Sequence, residues 1–188
     1  MSYLKRDDPL LIIIGPSGSG KSSAIQELAR QNIIDITPSW TTRPPRGNEM
    51  DTAIEHLFVS DMKFEQEQNK GNFLEVVELF GLPYRYALPR FSKPKPGHVP
   101  LIMLRVNLLS FVPKHYSNYR VYQIRDEYER VEKRLKARAA EGEDQGSRLS
   151  DYKKEVELGD KSANRVFINN RGITELVNDI KAAIREDF

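Results

Sequence analysis

The sequence predicts an α/β fold in which a central parallel sheet is flanked by helices on both sides. Two observations carry this. The run "PLLIIIG" at residues 9–15 is continuously apolar and bounded by proline and glycine, as expected of a strand buried on both faces. Beyond it, strand-like and helix-like segments alternate to the end of the chain, the order that builds a parallel sheet through crossover helices. With 188 residues there is enough chain for one good-sized core, so a single domain over residues 1–188 is expected.

The elements follow in order. After the first strand, "KSSAIQELARQN" sets Ala24, Ile25, Leu28 and Ala29 at helical spacing. "DITPSWTTRPPRGNEM" reads as a loop carrying two close arginines, because prolines and polar residues dominate it. A short helix is expected from about Asp61 to Asn69, then β-prone character from Phe73 to Leu79. The prolines of "FSKPKPGHVP" fix backbone angles and remove donors, which makes a stiff connector. "LIMLRVN" and "YRVYQIR" are further strands, "DEYERVEKRLKAR" a charged helix, "AAEGEDQGS" a flexible polar segment and "SRLSDYKKEVELG" another helix. The chain closes with the strand "NRVFIN" and a helix from about Ile173 to Ile184; no internal repeat and no disordered tail are visible.

Composition narrows the function classes. Lys and Arg number 29 against 27 Asp and Glu, so no global field points to nucleic acid or an anionic membrane, and any basic site has to be local. The lack of cysteine excludes disulfides, thiolate metal sites and thiol catalysis, and fits a reducing compartment. "MSYLKRDDPLLIII" puts two acids before an apolar run too short to span a bilayer, so neither a signal peptide nor a membrane span is expected. A cytoplasmic protein is the plain reading.

"GPSGSGKS", from Gly15 to Ser22, fits G-x-x-x-x-G-K-[ST] without mismatch and lies between a strand and a helix, as that phosphate-binding pattern requires. Its glycines let successive N–H groups turn inward around a phosphate, and the helix amino terminus adds partial positive charge. Lys21 would reach the β and γ phosphates, and the Ser22 hydroxyl would meet magnesium. Gly15, Ser17, Gly18, Ser19, Gly20, Lys21, Ser22 and Ser23 are therefore the candidate ATP-binding set, with ATP and Mg2+ as cofactors. The plain alternative is a glycine turn that only caps a helix.

Taken in order after this loop, "SWTTRPPRGNE", "EHLFVS", "NFLEVVELFGLPY" and "KRLKAR…RL" make the chain resemble the guanylate kinase family over nearly its whole length. The resemblance implies a P-loop kinase with a core at about 1–37, 97–133 and 156–188, an acceptor-binding region at about 38–96 and a lid at about 134–155. It implies that Ser39, Arg43, Arg46 and Tyr84 hold the acceptor phosphate, and paired guanidinium forks do bind a phosphate dianion bidentately. It further implies that Arg134, Arg138 and Arg148 act with Lys21 and Arg43 on the transferring phosphoryl group, and that Asn169 contacts adenine. Without the family, the arginines read as solvated surface and Asn169 as a strand-end polar residue.

Departures from the family pattern fall in the acceptor pocket. Glu75 keeps the guanine-reading glutamate, whereas Tyr86 stands at the small-hydroxyl position and Arg105 at the aspartate position. A guanine N–H facing Arg105 has no acceptor, a loss of roughly 1–3 kcal/mol for each unmet buried group. His56 replaces a phosphate-binding tyrosine, Arg85 a glycine, and Met103-Leu104-Arg105 the family's Asp-x-Asp, with Asn107 the nearest polar substitute. Three functions stay open: a GMP or dGMP kinase, a kinase of another phosphorylated acceptor such as ribose 1,5-bisphosphate, or a non-catalytic module that binds a phosphorylated ligand. The expected partners are ATP and a small phosphorylated acceptor, without nucleic acid or membrane, on a monomer or homodimer.

Overall fold

Burial on both faces makes the first strand the centre of the molecule. The computed structural model describes residues 6–45, 54–78, 83–90, 94–139, 149 and 151–188, without the side chains of 138 and 139. In chain order the elements are β1 (Leu10–Ile14), α1 (Lys21–Arg30), β2 (Ile34–Ile36), β3 (Ser39–Thr41), β4 (His56–Phe58), α2 (Asp61–Asn69), β5 (Phe73–Glu78) and β6 (Arg85–Pro89). They continue with β7 (Val99–Met103), a 3-10 turn (Val106–Phe111), α3 (Val112–His115), β8 (Tyr119–Arg125), α4 (Tyr128–Ala139), α5 (Tyr152–Ser162), β9 (Arg165–Ile168) and α6 (Ile173–Asp187).

The main sheet has the order β2-β7-β1-β8-β9, and every pairing in it is parallel. Strand alternation sends the β1 side chains to two cores. Leu11 and Ile13 pack with Ala24, Ile25 and Leu28 of α1 and with Leu176, Val177 and Ile180 of α6. Leu10, Ile12 and Ile14 face Ile102, Leu104, Val112, Tyr116 and Val121. Each such fully buried aliphatic side chain contributes about 1.5–3 kcal/mol of transfer free energy, which is why β1 has no polar position.

A second, four-stranded sheet has the order β4-β3-β6-β5, with β3 and β4 parallel and the other pairs antiparallel. One face carries Trp40, Val76, Ala87 and Phe73 against Phe64 of α2. Residues paired across strands share a face. Ser39 with His56, Thr41 with Phe58 and Tyr86, and Glu75 with Leu88 therefore belong to the opposite face. Leu88 joins the main core there, so this is the face turned toward the main sheet.

The sequence reading missed β2, β3, β4 and β6. The first three are three-residue strands, too short for a period to register, with Thr37 and Pro38 between β2 and β3. Helix α5 runs past Gly159 instead of stopping there, because Gly159 is its contact point with the sheet: a Cβ would collide with the Gln123 side chain. Helix α6 extends to Asp187 because its last turn is tied down. Asp187 accepts from Tyr122 Oη at 2.6 Å and from Arg165 Nε and Nη2 at 2.9 and 2.6 Å.

The bonds from Arg165 hold the Asp187 carboxyl below its ordinary value, against the opposing effect of burial, with Tyr122 assisting. A depressed carboxylate stabilises the fold above its unfolded pKa, and that share is lost as pH falls below about 4. Tyr122→Phe is expected to cost about 1 kcal/mol, or about 2–4 °C in Tm, at neutral pH. Asp187→Asn is expected to flatten the acid limb of stability below about pH 4, measured by thermal melting across pH.

Candidate active site

The loop Gly15–Ser22 is held by its own lysine and by side chains of two later elements. Lys21 Nζ donates to the carbonyls of Gly15 and Pro16, both at 2.8 Å. Arg134 Nη1 donates to Gly18 O at 2.6 Å, and Asn169 Nδ2 to Ser19 O at 3.0 Å. These bonds hold four of the loop's carbonyls, and Ser19 N closes a turn onto the Pro16 carbonyl within it. Two glycines are obligatory. Gly15, at φ 137°, lies against the Ile124 carbonyl, and Gly20, at φ 98°, lies against the Asn169 amide; a Cβ at either would strike its neighbour. Gly18 sits on Val131 and Leu135 of α4, Ser19 is fully buried, Ser17 half-buried and Ser23 exposed.

Arg134 is fixed by its neighbours. Its other guanidinium nitrogen pairs with Asp126, a buried carboxylate at the end of β8 that also accepts from Glu127 N at 2.8 Å. The Asp126 carbonyl accepts from Tyr152 Oη, so the start of α5 is fastened to the same point. A cluster of Val131, Leu135 and Tyr152 supports these contacts. One cation is thereby carried on the P-loop by a buried acid, and Asp126 is a residue that sequence reasoning missed; its place just before a helix start was the available signal.

On the small sheet, Ser39 Oγ lies 2.7 Å from His56 Nδ1 and 3.1 Å from the Glu55 carbonyl. The hydroxyl has one proton, so donation to Glu55 requires His56 Nδ1–H to donate to Ser39. The Tyr86 ring stands edge-on to His56, with centroids 5.7 Å apart. Arg43 is buried, its guanidinium 5.1 Å from the Phe58 ring centroid and donating to Pro44 O at 2.8 Å. Tyr84 precedes β6 and is half-buried. Ser39, His56, Tyr86 and Arg43 thus gather along one face and rim of the small sheet. Arg46 and Arg148 lie outside the described residues, as does the side chain of Arg138.

Two candidate pocket residues point into internal pairs. Glu75 meets His115 Nε2 at 3.1 Å and Lys114 Nζ at 3.4 Å. Arg105 meets Glu155 of α5 at 3.4 Å. Burial pushes the Glu155 carboxyl up, and Arg105 and then Lys21 pull it back. Arg85 serves packing: it lies over Phe64 and pairs with Asp61 at 2.7 Å. The largest surprise is Glu55. Its Oε1 accepts from Ser22 Oγ at 2.6 Å, joining the P-loop helix to the strand that carries His56. An acid beside "HLFVS" was visible in sequence, but no local pattern pairs it with a residue 33 positions away.

Comparison with known proteins bears on this arrangement. The family model described as guanylate kinase matches residues 7–89, the segment that carries the P-loop and the small sheet. The guanylate kinase of Prochlorococcus marinus is 28% identical over 189 residues, covering 98% of this chain and all of that one. That of Clostridioides difficile is 42% identical over 72 residues, but the match spans only 38% of this chain and 35% of the relative. The crystal structure of guanylate kinase from Anaplasma phagocytophilum superimposes with a TM-score of 0.67 at 21% identity, covering 99% of this chain and 89% of that one, which establishes the fold. A P-loop on a parallel sheet, a small sheet beside it and this agreement over the full length lead to one conclusion: the chain has the guanylate kinase fold and is similar in sequence to guanylate kinases.

Proposed function

We propose that this protein is an ATP-dependent phosphotransferase that moves the γ-phosphoryl group of ATP to the phosphate of a nucleoside monophosphate, GMP or dGMP. The observation that carries the reading is the joint at Glu55, which sets a phosphate loop and a face bearing Ser39, Arg43, His56 and Tyr86 against one another. The relatives named guanylate kinase support the acceptor class. Among the described residues no helix is long and apolar enough to cross a membrane, and a cytoplasmic location is proposed with the activity.

In this mechanism no covalent enzyme intermediate is needed. The loop N–H groups and Lys21 bind the triphosphate, with Arg134 beside them at Gly18. Arg43 and Ser39 orient the acceptor phosphate, and Tyr84 and His56 complete its surround. Catalysis is then positioning plus neutralisation of charge on the transferring group. The residues present fit magnesium. Ser22 offers a hard hydroxyl oxygen with a carboxylate at its side, whereas of the two positions where the family has acid, Met103 is buried and apolar and Arg105 is a cation paired with Glu155. When bound, the ion would neutralise phosphate charge. Asn169, already bonded to the loop at Ser19, would border the adenine.

A second reading keeps the transfer and changes the acceptor to another nucleotide or a phosphosugar. Glu75 favours it, because a guanine would have to compete with His115 and Lys114 for that carboxylate.

A coupled ADP-release assay with MgATP decides between these readings, using GMP, dGMP, AMP, CMP, UMP, dTMP and ribose 1,5-bisphosphate. Turnover with GMP is expected. Activity confined to another acceptor would replace the first reading with the second, and silence on all would overturn both. Lys21→Ala and Arg43→Ala are each expected to lower kcat/KM by about a hundredfold or more with the melting temperature retained. Unchanged kinetics in Arg43→Ala would remove it from the acceptor site.

A further inference from the structure

We propose that Glu55 is the positioning carboxylate of the magnesium site, acting through Ser22, and that it couples this site to the acceptor face. The inference rests on the phosphotransferase reading above and deepens it. The Ser22–Glu55 bond is short, at 2.6 Å, and spans 33 residues of sequence. It also has a direction. Ser22 Oγ donates its only proton to Glu55 Oε1, which leaves the hydroxyl lone pairs for a cation and raises their basicity. A hydroxyl held this way is set as a metal ligand before the metal arrives.

The requirement for such a group follows from the end of β7. Positions 103–105 are Met, Leu and Arg: two buried apolar side chains and a cation paired with Glu155. None supplies negative charge to a divalent ion near the P-loop. Glu55 supplies it from another element, the segment leading into β4. The same residue reaches the acceptor side by its main chain, since its carbonyl accepts from Ser39 N and lies 3.1 Å from Ser39 Oγ. Ser39 in turn touches His56. Side chain toward the donor site and main chain toward the acceptor site, Glu55 fixes the spacing of the two.

This division of labour makes the proposal separable from a purely architectural role. Replacing the side chain removes the link to Ser22 and leaves the carbonyl to Ser39 in place. The measurement is calorimetric titration of ATP into wild type, Glu55→Ala, Glu55→Gln, Ser22→Ala and the Ser22→Ala/Glu55→Ala double variant, in excess Mg2+ and again in EDTA. The readout is the ratio of the two affinities for each protein. Glu55→Ala is expected to reduce the wild-type ratio by about tenfold to a hundredfold. ATP in EDTA is expected to bind at least as tightly as to wild type, because a carboxylate facing bare phosphates has been removed. Ser22→Ala should produce a similar loss, and the double variant no more than the larger single one. KM for the acceptor should change little in Glu55→Ala while the Mg2+ concentration for half-maximal rate rises. Glu55→Gln keeps an acceptor oxygen for Ser22 without the charge, so an intermediate ratio is expected.

A wild-type ratio in Glu55→Ala overturns the proposal, as do losses in Ser22→Ala and Glu55→Ala that multiply in the double variant. If Glu55→Ala fails to fold, Glu55→Gln carries the test, and a wild-type ratio there assigns Glu55 to architecture alone. Failure of wild type to bind ATP under either condition would instead overturn the phosphotransferase reading on which this one stands.

Discussion

The turn at Gly15 is the constraint on which the rest of the molecule depends. β1 is buried on both faces, so its chain can leave the sheet only at its carboxyl end, and there it is pressed against the Ile124 carbonyl of β8. Only a glycine with positive φ makes that turn. The candidate phosphate-handling groups then follow from where strands end. β7 delivers Arg105, β8 delivers Asp126 and β9 delivers Asn169, all on the side where β1 delivers the loop.

These neighbours do more than surround the loop. Lys21, Arg134 and Asn169 all bond its carbonyls, so its backbone is oriented before any ligand arrives. The arrangement is preorganised in the sense that matters for charge stabilisation: donors are fixed by partners that are themselves fixed, Arg134 by buried Asp126 and Asp126 by the start of α4. Tyr152 ties α5 to the same carboxyl-end neighbourhood through the Asp126 main chain. Among the described residues the second sheet is joined to the rest through Leu88 in the main core, through Glu75 to His115 and Lys114 of α3, and through Glu55 to Ser22; the last of these links it to the P-loop helix.

Much of this was legible from sequence. The central strand, the loop after it and the parallel α/β class could be read because apolar runs and the glycine pattern are local, whereas the short edge strand β2 could not. Ser39, His56 and Tyr86 were singled out by resemblance alone; that they share a face follows from strand alternation in β3, β4 and β6, which were not read. The illegible part was pairing between distant residues. Glu75 reads as a base acceptor until α3 brings His115 and Lys114 beside it. Arg105 reads as a pocket cation until α5 brings Glu155, and Gly159 reads as a helix stop until Gln123 is seen beneath it. These pairings share one feature: sequence gives a residue its chemistry, while the partner beside it comes from another element.

The central claim is that donor and acceptor phosphates meet between the P-loop and the face carrying Ser39 and Arg43. A ligand joining adenosine and guanosine through five phosphates tests it directly, by calorimetric titration against ATP and GMP measured separately. Binding at least a hundredfold tighter than the better single nucleotide, lost in both Lys21→Ala and Arg43→Ala, is the predicted result, because one ligand then spans two adjacent sites. Affinity no greater than that for ATP, or indifference to Arg43→Ala, would mean that the two surfaces do not form one site and would contradict the account.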